Sequence, residues 1–545
     1  MFGTLRFGSS ACLFFTLFQL SAQGAVGTGS NYVDGTLITF NSNGAWCWFQ
    51  DERAVVDTAK QKLIVGSVTN GGGIEVAIYD LAGKKVQGKS QIGRLSVDDH
   101  NAPGLLILPS GKYIAMFADH YDKYNSRYSI YDGSKWSAEK RFDWNSIPGG
   151  TNYTIAYNNV YYLSSEQKCY DFSRANNRSP NFLVSTDEGA TWKFGGQLST
   201  DVSNSYNRGY YKYWGNGVDR IDFCCTEQHP RDFETSIYHG YIKGGKCHAS
   251  DGTVIDSNIF DVKNMPVSFK NFTKVFANGT SVNGVTMKRC WNSDIQVYED
   301  GSIAILFEAR ANNSVSDHRN FYSRYDGAAW KVTYIGKAGG PMYSAEEDYT
   351  GLGALCPNDP NTIYISSPFN PGDDNSKAGK REIWRGVTGD HGATWKWTPV
   401  TANSSKDNFR PIVPAWNKDN TALLWFRGTY TMAQNFNAAI VGVLYNHPVQ
   451  AVQHQNSSLA IDPEITLTRG SRNGQLTIRY SLPKQSTVRL DLFSASGKMI
   501  STLVNGEITA GTHDCIVTTR DIPTGTYFCR MKAGGFSKVR RVMMF

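Results

Sequence analysis

From residue 31 to residue 447 the chain repeats one phrase: an alternating strand, a Gly/Asp/Asn turn, another strand. No amphipathic helical period interrupts it, and this excludes the α/β and helical architectures. "LLILPSGKYIAMFA", "VYEDGSIAILFEAR" and "NTIYISSP" are hairpin halves of this kind. Four turns are related to one another. "STDEGATWK" (185–193) and "GVTGDHGATWK" (386–396) share Ser/Thr-x-Asp-x-Gly-x-Thr-Trp, and "IYDGSKW" (130–136) and "RYDGAAW" (324–330) are looser versions. In such a turn the Asp side chain caps backbone N–H groups, Gly permits positive φ, and Trp fills the gap between sheets. The 53 Gly, 29 Tyr and 13 Trp suit many short strands and tight turns.

The motif at Asp187, Gly189, Thr191 and Trp192, and again at Asp390, Gly392, Thr394 and Trp395, resembles the Asp-box (BNR) repeat of sialidase-like β-propellers. That resemblance implies an all-β fold with a seven-bladed β-propeller over 31–447, at roughly 50–60 residues per blade, and makes these turns structural. After residue 447 the text changes. A polar linker (448–465) leads to a small β unit over 466–545. Its phrases "LPKQSTVRLDLFSASGKMI", "IPTGTYFCRMKAGG" and "SKVRRVMMF" resemble the C-terminal sorting domains of bacterial type IX secretion, immunoglobulin-like β-sandwiches. The secretion machinery is then an expected partner.

Residues 1–24 read as a signal peptide: Arg6, an apolar run from Ala11 to Leu20, then small residues. The run is too short to span a bilayer, and no other span is evident, so the expectation is a secreted or cell-surface-attached bacterial protein, monomeric. Nine cysteines remain after the leader, an odd number. Cys224 and Cys225, adjacent on a strand, point to opposite faces. Cys515 and Cys529 fall on strands that would face each other, a candidate disulfide. The net charge of +7 comes without a long basic run, which argues against nucleic acid and is compatible with acidic material.

Several phrases are too polar for a core and too aromatic for a solvated loop. They are "GAWCWFQDERAVVD" (44–57), "DDHNAP" (98–103), "ADHYD" (118–122), "TIAYNNVYYLSSE" (154–166), "CYDFSR" (169–174), "RGYYKY" (208–213), "TEQHPRDFETSIYHGY" (226–241) and "EEDYTGLGALCPNDPNTIYIS" (346–366). The hairpin "GLLILPSGKYIAMFA" starts beside His100, turns at Pro109-Ser110-Gly111 and returns to His120, so both histidines reach one edge of a sheet. Asp98, Asp99, His100, His120 and Asp122 have no recognised metal spacing, nor do Cys224, Cys225, His229, His239, Cys247 and His248.

In this order the phrases resemble the BNR_4 type of propeller, which includes the ulvan polysaccharide lyases, over roughly residues 44–446. The resemblance implies β-elimination at a uronic acid of an acidic polysaccharide. A base takes the C5 proton, a cation neutralises the carboxylate, and an acid protonates the leaving oxygen at C4. By the same resemblance the catalytic set is His100, His120, Tyr157, Arg174 and Tyr213, with Tyr211 the alternative to Tyr213; Asn101, Arg208, His229 and Arg231 line the groove. Tyr157 or His100 takes the C5 proton, a tyrosine or histidine of the set returns one, and Arg174 or Arg208 holds the carboxylate. No cofactor is required and no metal is assigned to the site. Family members do carry structural metal ions, so a calcium or zinc ion stays open. Two other readings stand beside this one: a sialidase-type glycoside hydrolase, which lacks its Arg-Ile/Leu-Pro motif here, and a non-catalytic glycan-binding propeller.

Overall fold

The structure is a computed structural model. It describes residues 30–121, 124–147, 155–175, 178–200, 209–261, 267–446, 464–469, 475–482, 485–509, 511–518, 522–523, 525–533 and 536–544. The leader, Asp122, Arg208 and most of the linker therefore lie outside the described residues. Contacts divide the chain into two units, Met1–Val449 and Gln450–Phe545.

The first unit is all-β apart from short 3-10 turns. Among its described residues, seven antiparallel sheets of four or more strands follow one another along the chain, beside a two-stranded pairing of Tyr32–Val33 with Thr401–Ala402. The first holds Ala54–Asp57, Lys62–Val68, Gly73–Asp80 and Lys85–Arg94. The second runs from Gly104–Ile107 to Lys140–Asp143, and the third from Ala156–Leu163 to Lys193–Gln197. The fourth begins at Tyr211–Gly215, the fifth includes Val285–Val297, and the sixth begins at Gly353–Leu355. The seventh joins Asp407–Ile412, Asn420–Met432 and Asn435–Asn446 to Ile38–Asn41 from the start of the chain. Sheets one to six touch in succession through their innermost strands, and Ile38–Asn41 meets Gly73–Asp80 of the first sheet. The sheets thus close on themselves through both ends of the unit.

The four related turns occupy one place, between the last two strands of the second, third, fifth and sixth sheets. Asp187 accepts from the Ser185 hydroxyl (2.7 Å), Thr191 N (2.9 Å) and the Thr191 hydroxyl (2.6 Å). Asp390 repeats the set with Thr388 (2.8 Å) and Thr394 (2.8 and 2.6 Å). Gly189 and Gly392 sit at φ +77° and +92°. Trp192 packs on Tyr128 of the preceding sheet and Trp395 on Tyr322 of its own preceding sheet. Asp80, in "YDLAGK", caps Ala82 N and Gly83 N at the same place in the first sheet without a following Trp.

Residues 45–51 form an axial plug. Trp46, Cys47, Trp48, Phe49, Gln50 and Asp51 are all buried, and Phe49 stacks on Trp291 of the fifth sheet at 3.7 Å. Ala45 bonds to Val68 of the first sheet and Gly44 N to Ala438 O of the seventh. Gln50 Nε2 donates to His100 O (2.6 Å), while Lys212 Nζ and Arg410 Nη2 both donate to Gln50 O. Trp48 Nε1 donates to Thr350 O (2.5 Å), and Asp51 accepts from the Tyr161 hydroxyl (2.7 Å) and Tyr213 N (3.1 Å). Buried backbone needs such partners, and here the plug draws them from all around the ring of sheets.

The second unit holds a three-stranded and a four-stranded sheet sharing a core that includes Ile478, Tyr480, Leu490, Leu492, Cys529 and Met531. Cys515 and Cys529 are both free thiols, so the candidate disulfide is absent; the other seven described cysteines are also unpaired. Cys224 and Cys225 do enter different cores, one toward the fifth sheet and one toward the third.

Candidate active site

The hairpin from Gly104–Ile107 to Tyr113–Ala118 pairs antiparallel, with Gly104 opposite Met116. Its two ends bring His100 and His120 together. Their rings stack at 4.1 Å between centroids, 13° apart. His100 sits in a 3-10 turn, Asp99–Asn101, capped by Asp98, whose side chain accepts from His100 N (3.0 Å). The same carboxylate meets His100 Nδ1 at 2.6 Å and His120 Nδ1 at 3.1 Å. The turn is tied to the hairpin tip of the seventh sheet: Asp99 N donates to Ala433 O, the Tyr430 hydroxyl to Asp99 (2.8 Å), and Gln434 to Asp98 (2.5 Å).

Tyr157 faces His100 at 5.2 Å. It lies in a register irregularity between Ala156 and Asn159 with φ +63°, a left-handed conformation that few aromatic residues adopt. Such a bulge re-aims a side chain, and strain of this kind costs about 1–3 kcal/mol, which the surrounding packing must offset. Arg289 and Arg410 repeat positive φ beside irregularities in the innermost strands of the fifth and seventh sheets. Arg174, from the strand Lys168–Ala175, donates to the Tyr210 hydroxyl (3.0 Å), with its guanidinium 5.1 Å from the Tyr210 ring and 5.9 Å from that of Tyr157. Among the described residues no carboxylate pairs with Arg174. Tyr210 also meets Tyr157, His229 and Trp291 edge-on.

These neighbours sort the protonation states. Burial pushes against charge on His100, but Cys47 and Tyr157 when ionised, and the carboxylates of Asp98 and Asp99, favour it, and its pKa lies well above the ordinary value. Burial and the charged His100 push His120 down to about 4. Burial, then Cys47, holds the Tyr157 phenol well above its usual range. Burial, then Arg231 and Arg174, holds His229 well below its own. With the phenol neutral, Asp98 and Asp99 are left to favour charge on His100, beside a neutral His120 and an Arg174 guanidinium that has no carboxylate partner among the described residues.

Not every predicted residue belongs to this group. Tyr213 is packed against Phe172 at 4.4 Å inside a core, and Tyr211 bonds to the Ser199 hydroxyl. Tyr210 stands where Tyr213 was expected. The fourth sheet starts at Tyr211, so alternation sends 211 and 213 to one face and leaves 210 at the strand's mouth. Asn101 is fully buried and ties the hairpin ends together, donating to Ser96 O (2.9 Å) and accepting from His120 N (2.8 Å), so it does not line a groove. Arg231 is neutralised by Glu346 (2.7 Å) and Asp232 (3.0 Å), and its backbone N–H donates to His229 Nδ1 (3.2 Å). Arg208 lies outside the described residues. Sequence reasoning missed Tyr210, Cys47, Tyr430 and Gln434; Tyr210 and Cys47 sat in singled-out phrases, and Tyr210 alone carried a usable signal, the start of its strand.

For a metal, Asp98, His100 and His120 come within 4.8 Å of one another, as do Cys47, Asp99 and His100. Both Nδ1 atoms also face the Asp98 carboxylate, at 2.6 and 3.1 Å. The cysteine and histidine set of the fourth sheet does not converge: His239 bonds to Ser250 and Asp222, and His229 belongs to the site above. A cavity of about 220 Å³ is lined by Asp51, Glu52, Arg53, Asp294 and Gln296 among others, and none of His100, His120, Tyr157 or Arg174 lines it.

No family model matches the chain, and no curated protein does. A solved structure described as a polysaccharide lyase, PL25 ulvan lyase, bound to -[GlcA(1-4)Rha3S]- superposes with a TM-score of 0.53 at 12% identity, over 74% of this chain and 95% of that one. A second structure of a PL25 ulvan lyase gives 0.52 at 12% identity over the same shares. The likeness is one of fold. The NanB sialidase from Streptococcus pneumoniae aligns over 75% of this chain and 70% of its own at 11% identity, with a TM-score of 0.37. No helix among the described residues is long and apolar enough to cross a membrane.

Proposed function

We propose that the first unit is a seven-bladed β-propeller that cleaves a uronic-acid-containing, ulvan-like polysaccharide by β-elimination. The second unit is, in this reading, an immunoglobulin-like domain that addresses the enzyme to the secretion machinery for release or surface attachment. The observation that carries the reading is the group His100, His120, Tyr157 and Arg174, joined by Tyr210.

Elimination needs a positive site for the uronate carboxylate, and the cationic His100 with Arg174 supplies one. It also needs a base with a lone pair. A protonated His100 has none, so the role expected of Tyr157 or His100 passes to the neutral His120, which takes the C5 proton. The C4–O bond breaks as the C4–C5 double bond forms, and the Tyr157 phenol, neutral at working pH, gives its proton to the departing oxygen. His120 then returns its proton to solvent and Tyr157 takes one up. The chain's own side chains carry each of these steps. The fold likeness to the PL25 ulvan lyase supports the same class of substrate.

The test is incubation with uronate polymers while following ultraviolet absorbance, in water enriched in 18O. An unsaturated, unlabelled product supports the lyase. A saturated, labelled product would establish a sialidase-type hydrolase, and binding without products a glycan-binding propeller.

A further inference from the structure

Asp98 is fully buried and takes four hydrogen bonds. His100 N (3.0 Å) and His100 Nδ1 (2.6 Å) reach one oxygen; His120 Nδ1 (3.1 Å) and Gln434 Nε2 (2.5 Å) reach the other. Its neighbour Asp99 is employed differently. Asp99 accepts from the Tyr430 hydroxyl, and although its Oδ1 lies 2.8 Å from His100 Nδ1, that atom has no aligned donor. Among the described residues nothing bonds to Nε2 of either histidine.

We propose that Asp98 is a positioning residue for both histidines: each carboxylate oxygen holds one Nδ1–H, so both rings turn Nε2 to the substrate and His120 carries its lone pair there. The inference deepens the lyase reading and rests on it for its catalytic meaning. A carboxylate only accepts hydrogen bonds, so a neutral imidazole facing it must place its single proton on Nδ1. An imidazole in water prefers the opposite tautomer, whose Nε2–H cannot take a proton from carbon. One buried carboxylate thus orients both rings and fixes the tautomer of the neutral His120, and the stacking keeps the two Nε2 atoms side by side. The Gln434 amide and the capped turn hold the carboxylate still, with bonds that span 336 positions of the chain.

The decisive measurement is nitrogen NMR of the full chain labelled at histidine, with His120→Gln to assign the signal. At neutral pH His120 is expected as the Nδ1–H tautomer with an unprotonated Nε2. In Asp98→Asn the amide NH2 donates instead, so the His120 signal should switch to the Nε2–H form. An Nε2–H tautomer in the unaltered protein overturns the proposal, as does an unchanged tautomer in the folded variant. The spectrum of the unaltered protein decides the matter even if the variant does not fold.

Activity supplies a second readout. Asp98→Asn should lower kcat about 10²–10⁴-fold with KM little changed, the effect of a wrong tautomer. It should also move the alkaline limb of the pH profile to lower pH, because His100 loses a carboxylate. The groups facing that histidine are otherwise constant: Asp99, Cys47 and Tyr157 directly, Glu346 and Tyr343 from the loop before the sixth sheet, and Arg174 toward His120. Asp98→Glu should restore the alkaline limb in part; an Asp98→Asn protein with wild-type kcat and limb overturns the positioning role. If no uronate polymer is cleaved by the unaltered protein, the lyase reading falls while the tautomer measurement still decides what Asp98 does.

Discussion

The rim turns and the axial cluster satisfy their polar groups in opposite ways. Asp187 and Asp390 find the partners that hold them within four residues of themselves. Asp98, Gln50 and Asp51 find theirs up to 360 positions away, on other sheets of the ring. A rim turn is therefore a self-contained unit that can be copied from sheet to sheet. The axial cluster exists once, and only when the sheets have closed around it. Removing a rim group should accordingly cost stability locally, while removing an axial group should cost function with the fold retained.

His100→Ala and Tyr157→Phe put that contrast to its most severe test. Each is expected to reduce formation of unsaturated product about 10²–10⁴-fold with the melting temperature held within a few degrees. Equal losses of stability and activity would erase the distinction. Next comes Trp192→Ala at the rim, expected to cost about 3–5 kcal/mol in denaturant titrations, with activity per folded molecule unchanged. Acidification follows. His120 has a folded pKa of about 4, below its unfolded value, so the unfolded chain binds its proton first. Stability is then complete above about pH 6.5 and falls between 6.5 and 4, by about 2–3 kcal/mol. His120→Gln should flatten that slope. His100 has the opposite sign: its raised pKa gives stability that is full below about pH 6.5 and is lost only as pH rises through the folded value. Smallest is Tyr210→Phe, which removes the hydrogen bond to Arg174 and should cost about 1.5–3 kcal/mol in kcat/KM, roughly ten- to hundredfold. Tyr213→Phe should leave kcat/KM unchanged, and the reverse ranking would return Tyr213 to the site.

What could be read from the sequence follows the same division. The all-β class and the Asp-Gly-Trp turns were legible because their signals repeat and are local. The first-sheet turn at Asp80 escaped because no Trp follows it, although its carboxylate also caps backbone N–H groups. The pairing of His100 with His120 was legible because one hairpin joins them. Tyr210 was not, because choosing among Tyr210, Tyr211 and Tyr213 requires the first residue of a strand, and boundaries are the weakest part of any pattern argument. Asn101 and Arg231 take partners that no local pattern marks. A polar residue beside a catalytic one looks like a ligand contact until its partners are known, and theirs are Ser96, His120, Glu346 and Asp232. The Tyr430–Gln434 anchor lies more than 330 positions from Asp98 and Asp99 and carries no local mark at all.

The seventh sheet also sets when in its life the molecule can act. Its outer strand, Ile38–Asn41, pairs with Asn435–Asn446, so the first and last strands of the unit are laid down side by side. Joining ends some 400 residues apart costs roughly 5 kcal/mol in chain entropy, recovered only after the other sheets have formed. Gln434, which holds Asp98, sits at the tip of that same final hairpin. A chain still emerging from its ribosome therefore has no assembled centre. The cluster of His100, His120 and Asp98 is thus completed only with the last hairpin, after the rest of the ring has formed.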